Sequence, residues 1–458
     1  METNYLSKIF NTFKNMTLNA EGADKELNAL IAKKDIWKAI SLMENNDTEI
    51  DKAIREYNPQ THEVMNRPNK YRDNDDAYIT EKLPRTRARY INEIELFFLL
   101  GKPIIWKLRD GDDKAYELYT KFLEKMRFNS RIRQLKRLAG SELESAIIFN
   151  LTNDKGKVKA KPFVVSRSRG YKLRPMFDQY GDLVALAYGY KLREDGKNVT
   201  HYDILTKDYT HYCSFVKGEW LVETYPNITK KINGVFFRQA KAWDGAVPRI
   251  HREEMLDSKI ADTNNYFADP MAAATADVIN TLADPDKPGR LIQLTGSNSK
   301  FEYINPPQNS ATRDSETTTL KQSILFDTFT PDFSYENMKG LGTLSGAAMH
   351  NALILGYIKR DIIQETYGEL VGRLRNVIIE ILKVQHPDME KALDGLIIDF
   401  EFAEPFDNDK RDLWIAIANL YSSGVLSLDT AVKMLSLTNA PEEEIQRIKS
   451  AQKPQEKG

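Results

Sequence analysis

Thr330-Pro-Asp-Phe-Ser-Tyr-Glu-Asn-Met-Lys-Gly-Leu-Gly-Thr-Leu-Ser-Gly346 runs directly into Ala347-Ala-Met-His-Asn-Ala-Leu-Ile-Leu-Gly356, and the fold turns on this junction. Three glycines, a proline and small polar residues make the first stretch a poor helix and a poor strand, so the sequence predicts a pliable loop over 330–346. Beyond it, Leu353, Ile354, Tyr357, Ile358, Ile362, Tyr367, Leu370, Val371, Leu374, Val377, Ile378, Ile381 and Leu382 recur at helical spacing. No proline interrupts them before Pro387, which predicts one helix over 347–384, ~57 Å long at ~1.5 Å per residue. Gly356, Gly368 and Gly372 are its expected bending points. A helix this long exceeds what a small domain needs. It reads either as a core helix of a large α+β protein or as a spine that carries a mobile loop to a defined place.

Outward from that junction, the composition sets bounds. The chain has 458 residues, enough for two to four domains, and is 41% hydrophobic and 29% charged. Its 65 basic and 66 acidic residues nearly cancel. The basic excess typical of tight nucleic-acid binders is therefore missing, although loose passage of DNA beside local basic groups is not excluded. Cys213 is the only cysteine, which rules out an intrachain disulfide or a multi-cysteine zinc site. A reducing compartment such as the cytosol fits. No run approaches the ~20 apolar residues of a membrane span. The N-terminal residues lack an apolar signal core, so no secretory signal is expected, and Asn198-Val-Thr200 is taken as a chance match to a glycosylation acceptor.

Along the chain, residues 1–60 read as a charged helical arm with Leu27, Leu30, Ile31, Trp37 and Ile40 on one face, joined by Ile36, Leu42 and Met43. Asp73-Asn-Asp-Asp76 lies in a turn-rich stretch without the glycine and distal glutamate of a calcium loop. Pro84–Pro103 reads as a helix that buries Tyr90, Ile91, Ile94, Phe97, Phe98 and Leu99 and is stopped by Gly101. A short strand begins at Ile104, and one amphipathic helix is expected over 112–138. The later part of that helix carries Lys125, Arg127, Arg131, Arg133, Lys136 and Arg137, either as a phosphate patch or as a solvated or subunit-facing surface.

From Ala146 to Tyr225 the period becomes two, which predicts an antiparallel meander. His201 and His211, on neighbouring strands, fit half-buried strand histidines better than a metal pair. Gly245-Ala-Val-Pro-Arg-Ile250 closes the meander. Helix is expected over 252–282, with Pro270 starting a new helix or kinking a longer one. A small β unit follows (290–295 and 300–304), then helix over 311–329. After the long helix come a strand over 396–402 and helices over 407–450, broken at Ser422-Ser-Gly424. The fold class is α+β.

The order of these elements resembles the portal proteins of tailed bacteriophages, and most nearly the compact type of siphophages. Four stretches carry the resemblance. They are Arg85–Pro103 ending in Leu-Gly-Lys-Pro, Gly245-Ala-Val-Pro-Arg-Ile250 before a long helix, Asn264-Asn-Tyr-Phe-Ala-Asp-Pro-Met-Ala-Ala-Ala-Thr-Ala-Asp277, and Phe333–Gly346 into Ala347-Ala-Met-His-Asn351. Gly424-Val-Leu-Ser-Leu-Asp-Thr-Ala431 is similar to the family's crown segment. The resemblance implies a wing (61–251, with a return strand 396–402), stem helices (252–282 and 311–329), a clip (283–310), a tunnel loop (330–346), a spine helix (347–384) and a crown with tail (407–458).

It further implies a homo-dodecameric ring at the capsid vertex of the virion, assembled in the bacterial cytoplasm. Double-stranded DNA would be packaged and ejected through the ring. The partners would be the terminase large subunit, a head–tail adaptor, and the major capsid and scaffolding proteins, with no membrane. Asn337, Lys339, Thr343 and Ser345 are expected to face the channel, with Gly340, Gly342 and Gly346 as hinges. Lys287, Arg290 and Lys300 are the candidate clip contacts. No catalytic residue, metal or cofactor is expected. Gly340-x-Gly342-x-x-x-Gly346 only superficially suggests a phosphate cradle, because it lacks the preceding strand and the Gly-Lys-Ser/Thr ending of a P-loop. The alternatives are a virion scaffold protein that passes no DNA and, more remotely, a nucleotide-binding enzyme.

Overall fold

The computed structural model describes residues 20–71, 77–154, 157–194, 196–268, 271–275, 300–304, 310–341, 350–406, 410–435 and 441–451. The chain divides into two units. The first comprises residues up to Pro331 together with Leu355–Ala403, and the second comprises Asp332–Ile354 with Glu404–Gly458.

The first unit opens with helices α1 (Ala20–Ala32), α2 (Ile36–Ser41) and α3 (Asp47–Tyr57), then a short hairpin, β1 (Lys70–Tyr71) with β2 (Ala77–Tyr78). Helix α4 (Arg87–Leu100) leads into β3 (Ile104–Asp110). The single helix expected over 112–138 is two, α5 (Asp113–Lys125) and α6 (Phe128–Glu142). The break is at Arg127, whose φ of 52° is left-handed. No glycine or proline marks it, which is why periodicity alone ran through it.

Strands β4 (Glu144–Asp154), β5 (Lys157–Val165), β6 (Lys172–Phe177), β7 (Leu183–Glu194), β8 (Lys197–Thr206), β9 (Tyr209–Val216), β10 (Glu219–Pro226) and β11 (Gly234–Arg238) follow. They form two sheets rather than one meander, a five-stranded sheet ordered β10-β9-β8-β7-β6 and a three-stranded sheet ordered β11-β4-β5. The split follows from apolar residues on both faces of β4. Ala146 and Ile148 pack against Leu186, Tyr188 and Leu205 of the larger sheet, while Ile147 and Phe149 face α6 and a later helix. A strand that is apolar on both sides must be covered on both sides. The opposite face of the large sheet (Ala185, Ala187, Tyr202, Ile204, Cys213, Trp220) is covered by Leu27, Ile31, Ile36 and Ile40 of α1 and α2. The layers therefore run helix, sheet, sheet, helix. Trp37 stays half exposed at the edge of this packing, against Trp220 and Phe215. His201 stacks on Tyr190, and His211 bonds Thr224 at 2.9 Å. Among the described residues no group of histidine, cysteine or acidic side chains is placed to hold a metal, and no helix is long and apolar enough to cross a membrane.

Helix α7 (Val247–Ala268) begins earlier and ends sooner than expected. Met271–Thr275, which the sequence assigns to helix, is strand β12 and pairs antiparallel with β13 (Lys300–Ile304). Pro270 cannot extend the helix ladder, and pairing then overrides the helical preference of the alanines. The other expected strand, 290–295, lies outside the described residues. Helix α8 (Ser310–Asp327) ends one short connection before Pro331.

In the second unit, α9 (Tyr335–Leu341) occupies part of the predicted loop, so the glycines after Lys339 did not prevent a short helix. The spine helix is α10 (Ile354–Gln385), set off from residues 350–352 by a turn at Leu353. Its body returns to the first unit. There α11 (Glu390–Asp394) and β14 (Ile397–Phe402) follow, and β14 pairs antiparallel with β3. Helices α12 (Lys410–Ser422), α13 (Leu428–Leu435) and α14 (Pro441–Ala451) complete the second unit. Gly424, at φ 74°, ends α12, and Ser427 accepts the Thr430 amide at 3.2 Å to start α13.

Candidate functional site

The chain leaves the first unit after Pro331 and re-enters it at Leu355, and both feet of that excursion rest on α4. At the outgoing foot, α8 closes in a Schellman motif. Phe329 N–H donates to Phe326 O (3.0 Å) and Thr330 N–H to Leu325 O (2.8 Å). Phe329 takes the left-handed position, φ 48°, that glycine normally fills. Tyr90 Oη on α4 donates to Pro331 O at 2.8 Å. At the returning foot, Gly356 lies so close to the Phe98 ring that an added Cβ would sit 2.3 Å from Cζ, and Tyr357 meets the same ring edge to face at 5.5 Å. Only glycine allows this approach of α10 to α4.

Between the feet, Lys359 joins them. Its Nζ donates to Thr328 O (2.9 Å), Ala242 O (3.3 Å) and Thr330 Oγ1 (3.4 Å), and lies 3.4 Å from Glu95 Oε2. Glu95, on α4, also pairs with Lys136 of α6 and accepts from Gln239 Nε2 at 2.9 Å. Tyr367 Oη donates to Gln239 Oε1 at 2.7 Å. All three charged groups are buried, so two ammonium groups share one carboxylate. Burial alone pushes the Glu95 carboxyl up, but the two lysines outweigh it and hold its pKa below the usual range. For Lys359, burial dominates. With Lys136 adding to it and Glu95 opposing, its pKa falls to about 8. Helix α4 is in turn held against α6, where Asn92 donates to Arg137 O at 3.0 Å across a closely approached Gly140.

The sequence missed this network because it placed Lys359 between apolar positions and Lys136 in a surface patch. A signal was there. Glu95 is four residues from both Ile91 and Leu99, and Lys136 is four from Ile132, so both occupy the buried stripe of their helices.

Of the residues expected to line a channel, Asn337 and Lys339 are exposed on α9, and Gly340 lies within that helix rather than in a loop. Lys339 Nζ sits 4.9 Å from the centre of the Tyr335 ring one turn earlier, a cation–π pair on an exposed helix face. Gly342, Thr343, Ser345 and Gly346 lie outside the described residues, as do Lys287 and Arg290. Lys300 is the first residue of β13, opposite Thr275, and belongs to the other unit of the chain.

Helix α7 is tied along one face to the extended segment before α4. Glu254 accepts Arg85 N–H (2.7 Å), Ser258 Oγ accepts Leu83 N–H (3.0 Å) and Asp262 Oδ1 accepts Glu81 N–H (2.7 Å). Four helical residues rise about 6 Å and two extended ones about 6.6 Å, so every second amide meets every fourth side chain.

A family model described as phage portal protein, SPP1 Gp6-like, matches residues 38–458. A comparison with curated proteins finds no match. Among solved structures, the chain is similar to one described as the neck of an empty GTA particle computed with C6 symmetry (11% identity, TM-score 0.43, covering 77% of this chain and 89% of that one). It is also similar to the neck of a native GTA particle computed with C12 symmetry (11% identity, TM-score 0.42, covering 77% and 90%). A third is the virion of a native gene transfer agent particle (10% identity, TM-score 0.40, covering 86% and 94%). With the family model spanning nearly its whole length, the chain belongs to the phage portal protein family, SPP1 Gp6-like.

Proposed function

We propose that this portal-family chain is one subunit of a closed dodecameric ring at the capsid vertex, through which double-stranded DNA is packaged and later ejected. The observation that carries this reading is the family match over residues 38–458. The portal family is structural, and the chain's role here is to shape a passage rather than to catalyse. Residues 61–251 with β14 form the wing, and the rest of α7 with α8 the stem. With Met271–Thr275 a strand, the clip begins there and ends with β13. Residues 330–346, at the start of the excursion, are the tunnel loop, α10 the spine, and α12 to α14 with the tail the crown.

A net charge of −1 suits sliding contact. Extensive neutralisation of phosphates would release counterions and grip the duplex. Asn337 and Lys339, exposed on α9, are the proposed lumen contacts. Lys339 is the only cation between Thr330 and Gly346, and copies around a ring repeat it. Thr343 and Ser345 extend the same lining, with Gly342 and Gly346 as its pliable points. The clip, through Lys287, Arg290 and Lys300, docks the terminase large subunit during packaging and a head–tail adaptor afterwards. The major capsid and scaffolding proteins surround the ring during assembly in the bacterial cytoplasm.

Electron microscopy of the purified protein, combined with packaging assays on Lys339→Glu, tests this reading. Rings with a channel wide enough for a duplex are expected for both proteins, with packaging or DNA retention reduced in the variant. Wild-type packaging by Lys339→Glu removes the contact role of Lys339. A compact monomer or an open filament removes the ring.

A further inference from the structure

The two feet of the Asp332–Ile354 excursion are built differently, and the difference has a direction. The returning foot packs the Phe98 ring against Gly356 and Tyr357. The outgoing foot carries two separate costs. Phe329 sits at φ 48°, where a side chain with a Cβ is disfavoured and glycine is the usual occupant. Lys359, which completes that foot through Thr328 and Thr330, is the second ammonium on a single buried carboxylate. A buried cation in excess of its counter-charges is held at a cost that water would remove. Water has a route, because a cleft of about 420 Å³ lies beside Lys359 and Phe329.

We propose that Lys359 and Phe329 make Thr328–Pro331 the releasing foot of the excursion, a strained latch that opens into the adjacent cleft while the Gly356 foot stays closed. Both are positioning residues, since neither is placed in contact with DNA. The latch itself rests on the geometry of the first unit. Its bearing on DNA passage rests on reading the excursion as the tunnel loop.

The sign of the pH response follows from the charges around Lys359. Glu95 and Lys136 face it from α4 and α6, the Tyr367 hydroxyl reaches the same network through Gln239, and Lys241, Asp244 and Asp327 line the cleft. Closed, the ammonium has its pKa held down to about 8, while an opened foot returns it to the ordinary lysine range near ~10.4. Opening therefore takes up a proton. Raising the pH above about 8 favours the closed latch, and the charged form below that favours release.

Hydrogen exchange on the full chain, corrected for the intrinsic pH dependence of amide exchange, tests the latch. Peptides covering 325–333 should open more readily than those covering 353–360, and their opening should fall about ten-fold between pH 7 and pH 9. Lys359→Met should abolish that pH step and open less readily at pH 7, whereas Lys359→Arg keeps the charge and should show no step below pH 9. If Lys359→Met fails to fold, Phe329→Gly carries the test, with opening slowed several-fold as the backbone strain is relieved. A wild-type profile flat from pH 7 to pH 9, or faster opening in Lys359→Met or Phe329→Gly, overturns the proposal. Microscopy of the same variants separates the two readings. Rings with slowed packaging support the latch within a portal. A pH step in a protein that forms no ring leaves the latch standing and removes the portal channel.

Discussion

Glu95 is a single carboxylate answering for two buried ammonium groups, and its removal should cost far more than an ordinary surface charge. Glu95→Gln leaves Lys136 and Lys359 without a counter-charge, an expected loss of about 3–5 kcal/mol in unfolding free energy measured by denaturant titration. A loss below ~1 kcal/mol would mean that the lysines find other partners. His62 supplies a pH-dependent counterpart elsewhere in the first unit. Its Nδ1 lies 2.6 Å from Glu254 and its Nε2 2.9 Å from Glu56 O, so both ring nitrogens face acceptors and the imidazolium is favoured. Burial works against the charge, but these acceptors outweigh it and the pKa is raised. The stabilisation is complete below the ordinary histidine value of ~6.5 and is lost as pH rises through the higher folded value. Thermal melts from pH 6 to pH 8 should show this loss in the wild type and not in His62→Gln. Little of this was legible beforehand. Glu95 stands in Glu93-Ile-Glu-Leu-Phe-Phe, where alternating charge looks like an exposed face until the helical stripe is followed through Ile91 and Leu99.

At the scale of elements, what was legible depended on how local the cause was. Helix α4, the strands β7 to β10 and the break at Gly424 follow from period and turn chemistry within a few residues. The long helix was found with its end correct to one residue, and its start fell late because a turn at Leu353 interrupts an unbroken apolar pattern. The division at Arg127 had no glycine to announce it. Strand β11 lies in a stretch the sequence left unassigned, since Gly234-Val-Phe-Phe-Arg238 is too short to show a period and is settled by pairing with β4. The ladder between α7 and residues 81–85 is likewise a matter of register between two elements. It should weaken unevenly. Ser258→Ala loses one neutral hydrogen bond and should cost about 0.5–1.5 kcal/mol. Asp262→Ala, which also strips Arg67 of its partner at 2.6 Å, should cost about 1.5–3 kcal/mol by the same denaturant measurement. Equal losses would mean that the charge of Asp262 adds nothing to its rung.

For the whole molecule, the sequence carried the order of elements and the α+β class but not the long-range pairings that assemble them. β14 lies against β3 with Lys107 and Glu401 paired across 294 residues, and no local pattern encodes that distance. The same holds for β13, whose pairing with β12 spans the 276–299 stretch. Apolar residues on both faces of β4 require cover on both sides, which the single meander read from the sequence did not supply and the second sheet and helices do. The residues chosen for a channel came from family likeness, and the two that are described, Asn337 and Lys339, are exposed helix positions.

That Tyr90, Glu95 and Phe98 sit on three successive turns of α4 has a mechanical consequence. While both feet are closed, a handle bolted at both ends to one rail cannot be tugged at one end without loading the rail along its length. Tension on the excursion would load the contact between α4 and α6, where Asn92 meets Gly140.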